Sequence, residues 1–296
     1  MAVVPGLVLL VTACGGAQPS PPGPTSVAQT LPVTTPATTA QPTATPMPTA
    51  DVAHPVGIIA IGHSGLTGEG TAGAGEDDKT KSWATGTSPD VDSVYSRLVA
   101  ALPETAGHVD NMARGGAVAS ALAAQATSAL AIVPAPLLAI IQTLDNDIQC
   151  DGANVADVGQ SVLKALKVIH EASPNTHILV VGQLGRPSIA YVEALVKADP
   201  SAKADLTWDD PCSFYDAAGD ISKTGFQMLS AVIDRYEAET ARVCATVPNC
   251  TTDGGVRKAW IDKIELFSGD YAHLNVKGQA AEAEQIWPVV EQLLGL

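Results

Sequence analysis

From about residue 53 onward, short apolar runs alternate with longer stretches whose apolar residues recur at helical spacing. Residues 56–61, 136–144 and 177–184 are nearly continuous apolar runs that end in polar residues. Strands buried on both faces of a parallel sheet have this pattern. Residues 108–113 and 259–264 are weaker runs and supply a second and a last strand. Between the runs, residues 91–102 place Val91, Val94, Tyr95, Leu98, Val99 and Leu102 on one helical stripe. Residues 117–130 are Ala-rich and helical, residues 155–172 form a helix stopped by Ser173-Pro174, and residues 189–198 form another. Residues 221–245 carry Phe226, Leu229, Val232, Ile233, Tyr236 and Val243 on the apolar face of a long helix. Residues 276–294 close the chain as a helix capped by Asn275, which Pro288 must bend or break. The stretch 208–219 reads as an inserted loop rather than a second domain.

Strands alternating with helices predict an α/β domain with a mostly parallel, five-stranded sheet between two helical layers. In such sheets the ligand crevice lies beyond the carboxyl ends of the strands.

The first residues break this pattern. Residues 1–14 read as a signal peptide with its lipobox cysteine: an apolar run too short to span a bilayer, ending Val11-Thr12-Ala13-Cys14. The resemblance to a bacterial lipobox implies cleavage before Cys14 and lipid on its sulfur. The run lacks the preceding Lys or Arg of a signal peptide. Residues 15–54 are dominated by Pro, Thr, Ala, Ser and Gln, too poor in bulky apolar groups to offset ordering entropy. They read as a disordered tether, and residues 55–296 as the folded domain. The expected location is extracytoplasmic, lipid-anchored to the cell membrane through Cys14 or secreted.

Composition sharpens this. The formal charge of -15, with 31 acids against 16 bases, argues against nucleic acid, whose phosphates such a surface repels. Apart from Cys14, the cysteines are Cys150, Cys212, Cys244 and Cys250, an even set that suggests two disulfides in an exported domain. Cys244 and Cys250 are close enough for a local loop, which leaves Cys150 with Cys212 as the long-range bridge; three connectivities are formally open. No CxxC pair or nearby histidine cluster supports zinc.

Four polar clusters fall at strand ends. They are Gly62-His63-Ser64-Gly65, Asn111 to Ala117 with Gly115-Gly116, Thr143-Leu144-Asp145-Asn146-Asp147, and Asp270-Tyr271-Ala272-His273-Leu274-Asn275. Acyl transfer needs these residue types: a hydroxyl to attack, an imidazole to take its proton, a carboxylate to orient the ring, and donors for the oxyanion. With Gly278 after the last cluster, this order resembles the SGNH (GDSL-like) hydrolase family of esterases, lipases and related acyl hydrolases. The resemblance implies a flavodoxin-like sheet; no carboxylate-histidine spacing supports a metal, and no cofactor is expected. The resemblance also implies Ser64 as nucleophile, His273 as base and Asp270 as its orienter. It implies an oxyanion hole from Ser64, Gly116 (Gly115 being the alternative) and Asn146.

Two positions depart from the family pattern. His63 stands where the family carries Asp, and Leu144-Asp145 where it carries Gly before the Asn. His63 and Asp147 are expected to replace part of the lost hydrogen bonding. The implied function is a monomeric serine esterase acting on a small-molecule or cell-envelope ester. A carbohydrate O-acetyl esterase or acyltransferase, and a non-catalytic binding lipoprotein, are the rivals. Trp83, Trp208, Phe214 and Tyr271 are candidates for a pocket wall, and Arg186 for its rim.

Overall fold

In a computed structural model, residues 53–208 and 211–296 are described. The expected signal peptide, Cys14 and nearly all of the tether lie outside them. The chain builds β1 (Ile58–Gly62), β2 (Val109–Asn111), β3 (Leu138–Gln142), β4 (His177–Val181) and β5 (Cys250–Thr252) into one sheet of order β2-β1-β3-β4-β5. Every pairing is parallel. This is the flavodoxin-like order, and its switch point lies between β1 and β3, where ligand crevices open.

The alternation of side chains along each strand divides the core in two. Ile59, Ile61, Ala139, Ile141, Ile178 and Val180 face α2 (Leu122–Ile132), α3 (Val155–Ala172) and α6 (Lys223–Cys244). Ile58, Ala60, Leu138, Ile140, Leu179 and Val181 face α1 (Val94–Ala101) and α7 (Val276–Leu294). The result is a three-layer α/β/α sandwich. Ile58, Ile59, Ile61, Ile140 and Ile141 are fully buried, each worth about 1.5–3 kcal/mol against exposure. Side-chain caps fix several helix starts: Ser93 accepts from Ser96 N, Ser222 from Gly225 N, and Asn275 from Lys277 N and Gly278 N. In α4 (Ile189–Ala198) Ser188 caps in the same way.

One expectation is corrected. Residues 259–264 are not the last strand: Arg257–Ala259 and Ile264–Leu266 are 3₁₀ turns, and Ile261 is 75% exposed. The fifth strand is β5, paired with Ile178–Val180 at the sheet edge and only half-buried. An edge strand needs no apolar run, so Cys250-Thr251-Thr252 gave no signal. Residues just before the supposed insertion form a short helix, α5 (Ala202–Trp208). Pro288 does not break α7, which runs on to Leu294. Ala283, Ile286 and Val290, buried on both sides of the proline, hold the helix against the roughly 3 kcal/mol that an internal proline costs.

Both disulfides form in the pairing that the spacing suggested, Cys244–Cys250 and Cys150–Cys212. Cys244 ends α6 and Cys250 begins β5, so the first closes a tight corner with Asn249 in the left-handed region at φ 58°. The second joins the loop after β3 to the segment before α6. Among the described residues, no helix is long and apolar enough to cross a membrane.

Candidate active site

The first strand delivers Ser64 through a turn that only glycine permits. Gly62 has φ 150°, and a Cβ there would lie 1.8 Å from the Gln142 carbonyl oxygen. The Gln125 side chain clamps this point, accepting from Gly62 N at 2.7 Å and donating to Gly62 O at 3.0 Å. Ser64–Leu66 then forms a 3₁₀ turn capped by His63, whose Nδ1 accepts from Gly65 N at 3.1 Å. Gly65 packs so closely that a Cβ would lie 2.2 Å from Gln142 Nε2. Trp83 is fully buried beneath the turn and donates from Nε1 to Gly65 O at 3.1 Å.

The last loop delivers the imidazole. Phe267 and Leu274 form an antiparallel bridge, Ser268 N donates to His273 O at 2.8 Å, and Tyr271 turns the chain at φ 59°. Asn275 braces the base of the loop, donating from Nδ2 to Glu265 O and Phe267 O. Asp270 Oδ1 accepts from Ser268 Oγ at 2.6 Å and from the N–H groups of Ala272 and His273 at 3.0 Å. That leaves Oδ2 for His273 Nδ1 at 2.9 Å, and His273 Nε2 lies 2.8 Å from Ser64 Oγ. Residues 209 positions apart thus form a continuous carboxylate, imidazole and hydroxyl chain.

Charges around the chain suit proton transfer. Burial pushes Asp270 upward, but hydrogen bonds from His273, Ser268 and two backbone N–H groups outweigh it and hold the carboxyl well below its ordinary range. Burial pushes His273 downward, yet the Asp270 hydrogen bond and the Glu69 and Asp270 charges leave it above its ordinary value. Glu69 was not foreseen from the sequence. Its Oε2 stands 3.7 Å from His273 Nε2, the nitrogen that faces the serine. Glu69, Asp270 and His273 offer ligand atoms within 4.8 Å of one another, but the His273 and Asp270 atoms are already engaged in the hydroxyl chain.

The two other clusters reach the same place. Gly115, Gly116 and Asn146 line one cavity with Ser64 and His273. Gly116 is left-handed at φ 70°. Asn146 donates one Nδ2 hydrogen to Ala117 O at 3.0 Å, which ties the second and third clusters together and leaves its other amide hydrogen for a ligand.

His63 and Asp147 each hydrogen-bond within their own cluster's surroundings. His63 is 1% exposed and faces Asp145, with Nε2 3.3 Å from Oδ2 but poorly aligned for a hydrogen bond. Burial is the main cause that lowers the His63 pKa, against the raising effect of Asp145; with Nδ1 accepting from Gly65 N, the ring hydrogen belongs on Nε2. Asp147 serves elsewhere, accepting from Ala119 N at 2.9 Å and Thr143 Oγ1 at 3.3 Å. Asp145, from the third cluster, thus stands beside the buried His63 of the first.

The cavity measures about 530 Å³, within the range of ordinary ligand sites. Phe214, Tyr271 and Arg186 line it, whereas Trp83 supports the Ser64 turn from below. Arg186 is held by Asp234 at 2.7 Å and by Glu237.

No protein-family model matches the chain, and no curated protein matches it. Solved structures do. The extracellular lipase of Streptomyces rimosus is 17% identical, with 80% of this chain and 99% of that chain covered at a TM-score of 0.47. A carbohydrate esterase family 2 enzyme with its carbohydrate-binding domain, from Corynascus thermopiles (Myceliophthora fergusii), is 16% identical over 84% of this chain and 69% of that one, at a TM-score of 0.48. Phospholipase A1 of Streptomyces albidoflavus is 15% identical over 81% and 99%, at a TM-score of 0.44.

Proposed function

We propose that this chain is a serine ester hydrolase of the SGNH type, working through an acyl-enzyme. The observation that carries the reading is the unbroken Asp270–His273–Ser64 chain, with contacts of 2.9 and 2.8 Å at the switch point of the sheet. Ser64 Oγ attacks the ester carbonyl carbon while His273 Nε2 takes its proton. Asp270 holds the ring with its Nδ1 proton inward and stabilises the imidazolium. The carbonyl oxygen becomes an oxyanion, met by the N–H groups of Ser64 and Gly116 and the free amide hydrogen of Asn146. The tetrahedral centre collapses, the alcohol leaves with the proton from His273, and the acyl group stays on Ser64. Water then repeats the sequence and releases the acid.

The two disulfides support an oxidising, extracytoplasmic setting. Lipid anchoring at Cys14 and the tether are part of the proposal: Cys14→Ala is expected to release the protein from membranes and abolish labelling by a clickable fatty acid.

The test of function is a panel of p-nitrophenyl esters with the Ser64→Ala control. Hydrolysis by the parent and its loss in Ser64→Ala support the reading. A folded parent that hydrolyses nothing, or an unaffected Ser64→Ala, rejects it.

A further inference from the structure

Glu69 is a carboxylate that the hydrolysis of a plain alkyl ester does not require. It lines the cavity with Ser64, Gly115 and Gly116, and its side chain is 15% exposed. Among the described residues no hydrogen-bond donor meets this carboxylate, and its one ion-pair partner is His273, whose Nε2 is 3.7 Å from Oε2. The basic side chains on the cavity wall, Arg186 and Arg257, are committed to Asp234, Glu237 and Glu282. A mostly buried carboxylate without a donor is costly to keep ionised. This one also opposes the negative charge that the ester oxygen develops, and it holds His273 protonated to higher pH.

The fold nevertheless builds Glu69 into place. Gly68 and Gly70 flank it in the left-handed region, at φ 68° and 89°. A Cβ on Gly68 would lie 2.2 Å from Asp78 O, and one on Gly70 would lie 2.9 Å from Ser268 Cβ and 3.0 Å from His273 Cβ. Both sides of the corner are therefore packed against their neighbours. Gly115 lies outside the left-handed region, so its backbone does not demand glycine; a Cβ there would come 3.1 Å from Glu69 Oε2. His273 Nε2 is the atom that hands its proton to the departing alcohol oxygen. A group 3.7 Å from that nitrogen stands beside the alcohol half of the ester.

We propose that Glu69 receives a hydrogen-bond donor carried by that alcohol, an ammonium or a hydroxyl on the second carbon from the ester oxygen, and so selects substrates by their alcohol. The inference rests on the ester-hydrolase reading and adds the alcohol to it. The donor supplies the partner that the protein withholds, and it screens the carboxylate from the oxyanion.

The test compares butyrate esters in pairs of equal size: 2-(dimethylamino)ethyl against 3-methylbutyl, and 2-hydroxyethyl against propyl. kcat/KM is measured near neutral pH, where the amine is protonated. At least one donor ester is expected to exceed its isostere by roughly 10- to 100-fold. Glu69→Gln, of the same size but uncharged, should bring the ammonium ratio close to unity, and Glu69→Leu should do so for both ratios. Should Glu69→Leu not fold, Glu69→Ala replaces it. Ratios taken within one variant cancel any change in His273 itself. A preference confined to the ammonium pair assigns a cationic alcohol, and a preference in the hydroxyl pair assigns a polyol. Parental ratios near unity, or ratios unchanged in the variants, with turnover lost in Ser64→Ala, overturn the inference and leave the hydrolase standing. If no ester is turned over, the hydrolase reading fails and calorimetric binding of the same pairs decides: tighter binding of a donor ester, lost in Glu69→Leu, supports the role of Glu69, and equal or absent binding rejects it.

Discussion

Replacing Asp270 with Asn isolates the carboxylate from the loop that carries it. In the parent, Oδ1 holds three donors, Ser268 Oγ and the N–H groups of Ala272 and His273, while Oδ2 alone meets His273 Nδ1. An asparagine keeps the loop by placing its carbonyl where Oδ1 was. Its NH₂ group then points at Nδ1, donor against donor. The imidazole answers by moving its proton to Nε2, the position that must be empty to accept the proton of Ser64. The wrong tautomer is expected to cost roughly ten-thousand-fold in kcat, or about 5.4 kcal/mol of transition-state stabilisation. The fold loses only a charge-assisted hydrogen bond, about 1.5–3 kcal/mol. The assay pairs kcat on a p-nitrophenyl ester with urea unfolding of the same preparation. A folded Asp270→Asn variant that kept more than about a tenth of parental kcat would refute the role given to this carboxylate.

Glu69→Gln removes a charge that raises the His273 pKa. Since the base works only when neutral, activity falls as pH drops through that pKa, and the acidic limb of the kcat/KM profile should move to lower pH in the variant; an unmoved limb would exclude the interaction. Loop length ranks the disulfides: the bridge spanning 62 positions should contribute about 4 kcal/mol and the one spanning 6 about 2 kcal/mol, measured by urea unfolding of Cys212→Ser and Cys250→Ser paired with serine at their partners. Arg257 and Glu282 are each 1% exposed and 2.7 Å apart, with Glu282 pushed up to about 7 mainly by burial. Glu282→Ala should destabilise by about 3–5 kcal/mol because it strands a buried guanidinium, and a loss under about 1 kcal/mol would show the pair to be unimportant.

Much of the sheet was legible because buried parallel strands leave long apolar runs. Ile58 to Ile61, Leu138 to Ile141 and Ile178 to Val181 are such runs, and the helices between them carry clear stripes. The fifth strand was not legible. Cys250-Thr251-Thr252 sits at the edge, half-buried, and its position depends on the corner closed by Cys244–Cys250 rather than on its own hydrophobicity. The apolar-looking 259–264 segment misled because its isoleucine at 261 is exposed. The polar clusters could be placed because each follows a strand or opens a helix, and the Asp-x-x-His spacing fixes its own geometry. Glu69 beside His273, and the facing of Asp145 onto His63, could not be placed in the same way. Their roles arise from loops that meet only in three dimensions, and neither belongs to a spacing that requires a carboxylate.

The central claim is that Ser64 is an activated nucleophile. Intact-mass analysis after exposure to a fluorophosphonate tests it without assuming a substrate. One adduct per chain, mapped to Ser64, absent in Ser64→Ala and strongly slowed in Asp270→Asn, is the predicted result. A folded parent that takes up no adduct, or takes it up at another residue, would contradict the account.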